Sequence, residues 1–143
     1  VYHDSKLYVR SQFDHKILDA DTGALRGTFQ ADPPPAFAGK VGLFVRTGTL
    51  QAISGNRTLW TFTGDGQLET APIVVGDTAY VGSSSGVIYG LSLDSGEVVW
   101  STNTGSAISG STEQTQSHPL AALGAGQGLL VVPAGNELAA YSG

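Results

Sequence analysis

The 143-residue chain contains no cysteine and no methionine. Without cysteine it can carry no disulfide framework, no thiolate metal site and no cysteine nucleophile. Basic residues are scarce: seven Lys and Arg against twelve Asp and Glu leave a formal net charge of −5. That excludes the clustered positive charge on which nucleic-acid binding relies. No apolar run nears the roughly 20 residues of a membrane-spanning helix. No cationic, then apolar, signal stretch opens the chain either. It begins at Val1 and lacks Met throughout, which points to a segment of a longer protein.

Apolar residues make up 41% of the chain and charged ones 13%, enough to bury a core and too apolar for a disordered tail. Twenty Gly and six Pro interrupt nearly every window of a dozen residues, and each would cost a helix interior about 1 or 3 kcal/mol relative to Ala. Between the breaks lie short runs rich in branched and aromatic side chains: Lys6-Leu7-Tyr8-Val9, Gly42-Leu43-Phe44-Val45, Thr78-Ala79-Tyr80-Val81 and Leu129-Leu130-Val131-Val132. Such runs, bounded by turn residues, read as strands. The expected class is all-β.

These runs repeat. Each is followed by a second, at His15-Lys16-Ile17-Leu18-Asp19, Leu50-Gln51-Ala52-Ile53-Ser54, Ile88-Tyr89-Gly90-Leu91-Ser92 and Leu138-Ala139-Ala140-Tyr141-Ser142, and then by a Gly-containing turn. Tyr8, Phe44 and Tyr80 are spaced 36 residues apart, and Leu130 follows Tyr80 by a further 50. A third strand leads into Trp60 and Trp100, and Pro35, Pro72 and Pro119 open the next units. The unit is four short strands in about 40 residues, the period of a β-propeller blade. Approximate units are residues 1–34, 35–71, 72–118 and 119–143. By this count the chain opens inside the second strand of its first unit and spans about three and a half blades, a partial ring. The rest of the ring is expected from an upstream part of the same protein or from a second copy.

The residues Gly90-Leu91-Ser92-Leu93-Asp94-Ser95-Gly96-Glu97-Val98-Val99-Trp100 match, in register, the Ala-Leu-Asp-x-x-Thr-Gly-x-x-x-Trp motif. Ile17 to Gly27 match it too, with Gly27 where the motif has Trp, and the second unit is two residues short. The chain thus resembles the PQQ-like, or quinoprotein-type, propeller repeat family. The resemblance implies that Trp60 and Trp100 dock onto the neighbouring blade, and Gly23, Gly55 and Gly96 supply the left-handed position of the preceding turn. It also implies an extracytoplasmic setting, periplasmic or at the cell surface. Its non-catalytic branch, exemplified by outer-membrane assembly lipoproteins and receptor-kinase sensor domains, works by contact with a protein or small ligand. The alternative is a fragment of a quinone-dependent dehydrogenase whose cofactor residues lie on other blades. Such enzymes typically use a vicinal Cys pair, a stacking Trp and a Ca²⁺ ion; without Cys, no cofactor is expected here.

Side chains that could carry chemistry read more simply as structure. Asp19-x-Asp21-x-Gly23 hints at a calcium loop, yet Gln30 stands where an EF-hand loop needs Glu, so a turn is expected. His3, His15 and His118 have no ligand spacing, and no Gly-x-Ser-x-Gly elbow occurs. No catalytic residue and no metal ligand are expected. The expected partner-binding face gathers the inter-blade connections (residues 30–35, 64–71 and 105–118) with the hairpins at 11–15, 47–49 and 83–86. Arg10 and Arg46 occupy equivalent places there, with Phe13, Asp65, Glu69, Glu113 and His118 around them. The competing reading pairs the arginines with nearby acids and folds Phe13 back. Residues 106–117, rich in Ser, Thr, Gln and Gly, form the longest connection, a flexible filler or a partner-binding loop.

Overall fold

Four antiparallel sheets follow one another along the chain in the computed structural model, which describes residues 1–11, 14–110 and 122–142. The first sheet holds β1 (Tyr2–His3), β2 (Lys6–Arg10), β3 (His15–Asp19) and β4 (Leu25–Thr28). The second holds β5 (Ala36–Ala38), β6 (Val41–Arg46), β7 (Thr49–Ser54) and β8 (Arg57–Phe62). The third holds β9 (Ile73–Val75), β10 (Thr78–Gly82), β11 (Val87–Ser92) and β12 (Val98–Asn103). In the fourth, β13 (Gly124–Gly126), β14 (Leu129–Ala134) and β15 (Glu137–Ser142) are described. Every sheet is a simple meander in chain order, and β9 lies against both β5 and β13. The sheets are blades of a β-propeller, partial as a ring, with their first strands innermost.

Three details differ from the sequence-based expectation. First, the leading unit is a complete four-stranded blade. Tyr2–His3 forms its innermost strand through a turn in which Asp4 and Ser5 both take positive φ, 49° and 57°. Asp-Ser is a poorer advertisement for a two-residue primed turn than Asn-Gly, so nothing in the sequence announced it. Second, the innermost strand of the last blade is Gly124–Gly126; of the run expected there, Pro119 to Ala122, all but Ala122 lies outside the described residues. Pairing on β14 imposes extended structure on a Gly-Ala-Gly segment with little strand preference of its own.

Third, the aromatic spacing is not the structural repeat. His3 pairs with Lys6, Ala38 with Val41, Val75 with Thr78 and Gly126 with Leu129. Counting from those turns, Tyr8, Leu43, Tyr80 and Val131 are equivalent, and Phe44 stands one place further on. A one-residue offset moves a strand side chain to the opposite face of its sheet. Arg10 therefore corresponds to Val45 and Gly82, whereas Arg46 corresponds to Ser11 and Ser83; the two arginines are not equivalent.

Alternation places every second residue of a strand against the preceding blade and the others against the following one. Between the second and third blades, Leu43 and Leu50 meet Ala79, Val81 and Leu91, all fully buried. Between the third and fourth, Ile88 and Ile108 meet Leu130 and Val132. Between the first and second, rings fill the layer: Tyr8 packs edge-on against Phe29 and tilted against Phe37, and His3 stacks on Phe37. This is the interface whose docking Trp is replaced by Gly27. Aromatic area there compensates for the missing indole.

The two tryptophans sit where the strand bulges, opposite Ala52 and Gly90, as Gly27 sits opposite Ile17. The Trp60 indole Nε1 donates to the Leu93 carbonyl at 2.8 Å, in the outer turn of the next blade. Its ring covers Gly96 so closely that a Cβ there would lie 2.6 Å from it. Gly23 and Gly55, which face no such indole, have nothing within 4 Å of the same point. Trp100 lies edge-on between Tyr80 of its own blade and Tyr141 of the next.

Candidate functional site

One end of the propeller gathers the second hairpin of each blade and the connections between blades, and its polar side chains act as latches. The turn after β6 is Thr47-Gly48, with both residues at positive φ. The Thr47 N–H donates to Asp32 Oδ2 at 2.5 Å, from the preceding connection. In the next connection Asp65 does the same with hydroxyls: Ser83 and Ser85 both donate to its Oδ2 at 2.5 Å, and the Gln67 N–H donates to its Oδ1 at 3.0 Å. Leu68 is buried between these turns and bridges to both Gly48 and Ser83. The buried Thr70 hydroxyl accepts the Gly82 N–H at 2.8 Å. At the third connection the Thr104 hydroxyl donates to the Gly86 and Ser106 carbonyls. Asp32, Asp65 and Thr104 thus each hold a connection against a hairpin turn.

The sequence-predicted face divides accordingly. Arg10 is half-buried and donates to the Asp32 carbonyl, so it works inside the first latch. Asp65 is consumed by the second. Arg46 and Glu69 stand exposed on the same end of the propeller, beside the Thr47-Gly48 turn and the bridged connection. Phe13, Glu113 and His118, with most of the long connection, lie outside the described residues.

Asp65 also carries the electrostatics of this end. Burial raises its pKa, but the hydroxyls of Ser83 and Ser85 and two backbone N–H groups outweigh it, so the carboxyl titrates below its ordinary range. A folded-state pKa below the unfolded one contributes stability above about pH 4, lost as pH falls through the folded value. In acid titrations of the melting temperature, Asp65→Asn should show a shallower decline below pH 4 than the parent. Identical pH profiles would remove Asp65 from the latch. Asp19 is likewise held low, first by Arg26 and then by Thr22. It caps the turn from Asp19 to Gly23 through the Asp21 and Thr22 N–H groups, which is the turn role expected of it.

On the opposite end, between the third and fourth blades, an apolar groove of about 780 Å³ opens that sequence reasoning missed. Ile73, Tyr80 and Trp100 form one wall, and Ala125, Leu130 and Tyr141 the other. Phe37 and Val74 occupy the place of Ala125 at the two earlier interfaces. The signal was in the sequence: Gly124-Ala125-Gly126 is the one innermost strand with no bulky side chain.

The acidic side chains among the described residues offer no ready donor set for the Ca²⁺ of a quinone cofactor. Asp19, Asp32 and Asp65 are spent on turns, and among the described residues no three His, Asp or Glu side chains converge as a metal site requires.

Residues 16–143 match the sequence family described as outer membrane protein assembly factor BamB. No curated protein sequence matches the chain. Among solved structures, BamB from Moraxella catarrhalis is 20% identical and superposes with a TM-score of 0.68 over 96% of this chain. The chain spans 42% of that relative's length. The computationally designed Ika4 protein is 14% identical, with a TM-score of 0.75 over 99% of this chain and 87% of its own. A europium-containing methanol dehydrogenase is 18% identical, with a TM-score of 0.57 over 71% of this chain and 23% of its own. At these identities the likenesses carry the fold alone.

Proposed function

Because the chain belongs to the PQQ-like repeat family of the outer membrane protein assembly factor BamB, we propose that it is a non-catalytic contact scaffold. In this reading it acts outside the cytoplasm, in the assembly of outer-membrane proteins. Its partner is a protein, engaged by the latched end of the propeller rather than by a reaction at a pocket. The supporting observation is the spending of polar side chains. Asp32, Asp65, Arg10, Ser83, Ser85 and Thr104 fix loops to hairpin turns. Loops held this way lose little further entropy on docking, which favours contact. Arg46 and Glu69 remain outward to meet a partner, and an exposed Arg on a rigid turn suits an interface hot spot.

The test is site-specific photo-crosslinking in the native host. A crosslinker at position 46 should capture one outer-membrane assembly component. The same group at exposed Lys40, in the β5–β6 turn at the opposite end, should not. Capture of that component equally from both positions, or from neither, would overturn the assignment of the face. The dehydrogenase reading predicts instead that pyrroloquinoline quinone with Ca²⁺ raises the melting temperature; the scaffold reading predicts no shift.

A further inference from the structure

Thr47 takes a backbone conformation that its own side chain opposes. Among the described residues, four that are not glycine have positive φ: Asp4, Ser5, Thr47 and Gln127. Thr47, at 45°, is the β-branched one. Gly, Asn or Asp is the usual choice in such a turn, because a branched Cβ crowds the backbone there. The strain persists because the surroundings fix the turn on three sides. Asp32 holds the Thr47 N–H, the Leu68 N–H donates to the Gly48 carbonyl, and the Gly66 carbonyl oxygen fills the place of a Gly48 Cβ. Nothing that the Thr47 side chain does for the fold offsets that strain. It is exposed, and its hydroxyl makes no hydrogen bond with another described residue. The corresponding hairpins differ. In the third blade Ser83 and Ser85 direct their hydroxyls to Asp65, and in the fourth the turn is Gly135-Asn136. Backbone strain held by its surroundings, with the side chain outward, points to a contact.

We propose that Thr47 determines specificity at the latched end: its hydroxyl and the neighbouring Arg46 guanidinium together bind one carboxylate, an Asp or Glu side chain of the protein partner. This rests on the scaffold reading above and adds the chemical group that the face recognises. A guanidinium offers paired N–H donors that match a carboxylate, and a hydroxyl supplies one more. The other cations of this end are engaged: Arg10 works inside a latch, and Lys16 pairs with Asp14 at 3.0 Å. Arg46 stays outward beside Thr47. The turn that carries both donors is fixed before docking, so little entropy is lost on binding.

A photo-crosslinker at exposed Glu69 leaves Arg46 and Thr47 in place and should capture the assembly component in the native host. No capture there would overturn the face, and this inference with it. Titration of the captured component, once purified, against the full-length protein and its variants tests the contact alone. Thr47→Val keeps the branched shape without the hydroxyl, so binding should weaken roughly tenfold at an unchanged melting temperature. Thr47→Gly relaxes the turn and also lacks the hydroxyl; it should bind as weakly while melting a few degrees higher. Thr47→Ser keeps the hydroxyl and should restore binding. Combining Thr47→Val with Arg46→Gln should weaken binding by less than the product of the single losses, because both donors serve one carboxylate. Parental binding by Thr47→Val, or a loss in Thr47→Ser equal to that in Thr47→Val, would overturn the hydroxyl contact. Losses that multiply would overturn the shared carboxylate. A melting temperature of Thr47→Gly no higher than the parent's would remove the strain from which the inference starts.

Discussion

Trp60→Ala should lower the melting temperature by roughly 10 °C, equivalent to about 3 kcal/mol for a large aromatic removed from a packed interface. Three losses combine: apolar area between two blades, the hydrogen bond to the Leu93 carbonyl, and the cover over Gly96. Trp60→Phe should recover most of the packing and leave a deficit of about 1 kcal/mol, the net worth of one hydrogen bond. Trp100→Ala should cost less, about 2 kcal/mol, because its ring makes edge-on contacts with Tyr80 and Tyr141 and forms one wall of an open groove. A double-mutant cycle with Gly96→Ala separates these contributions. Trp60 and Gly96 touch, so their effects should not add. Melts of Trp60→Ala indistinguishable from the parent would show that the indole is not blade-to-blade glue.

Gly48→Ala should be equally damaging, for a different reason. Its φ of +74° already disfavours any L side chain, and its Cβ would lie 1.9 Å from the Gly66 carbonyl oxygen. The obstacle is backbone, so no rotamer change relieves it. The connection bridged through Leu68 must move instead. A loss of about 3 kcal/mol or more is expected, together with faster hydrogen exchange at Leu68, whose N–H donates to the Gly48 carbonyl. Gly55→Ala is the matched control: its φ is +59°, but the space beside it is open. It should cost only about 1 kcal/mol, the conformational penalty alone. Equal melting temperatures for the two variants would show that the connection does not rest on Gly48.

Part of this was legible along the chain. Gly and Pro spacing, short branched runs and the Gly-containing turns ahead of Trp60 and Trp100 gave four-stranded units, because turn chemistry and alternation are local properties. Trp60, Trp100 and Gly96 were recognisable through the motif that the chain shares with the PQQ-like repeat. The candidate face was half legible. Among the described residues, the connections at 30–35 and 64–71 meet the turns at 47–49 and 83–86, since a meander fixes which turns share an end. The roles of its side chains were not: Arg10 and Arg46 look alike in the sequence, yet a one-residue difference of register turns one toward a neighbouring blade and leaves the other in solvent. The groove was missed because it depends on small residues in one innermost strand compared with their counterparts in two others.

The sequence by itself determined the second and third strands of each blade, most of the turns, the approximate blade length and the exclusion of thiol chemistry, all consequences of residue type within a few positions. Only the tertiary structure decided which polar groups are spent as latches and which remain outward. The same is true of which glycines are covered. Those outcomes depend on register between strands and contact between blades, where residues 15 to 33 positions apart in the chain share one hydrogen bond.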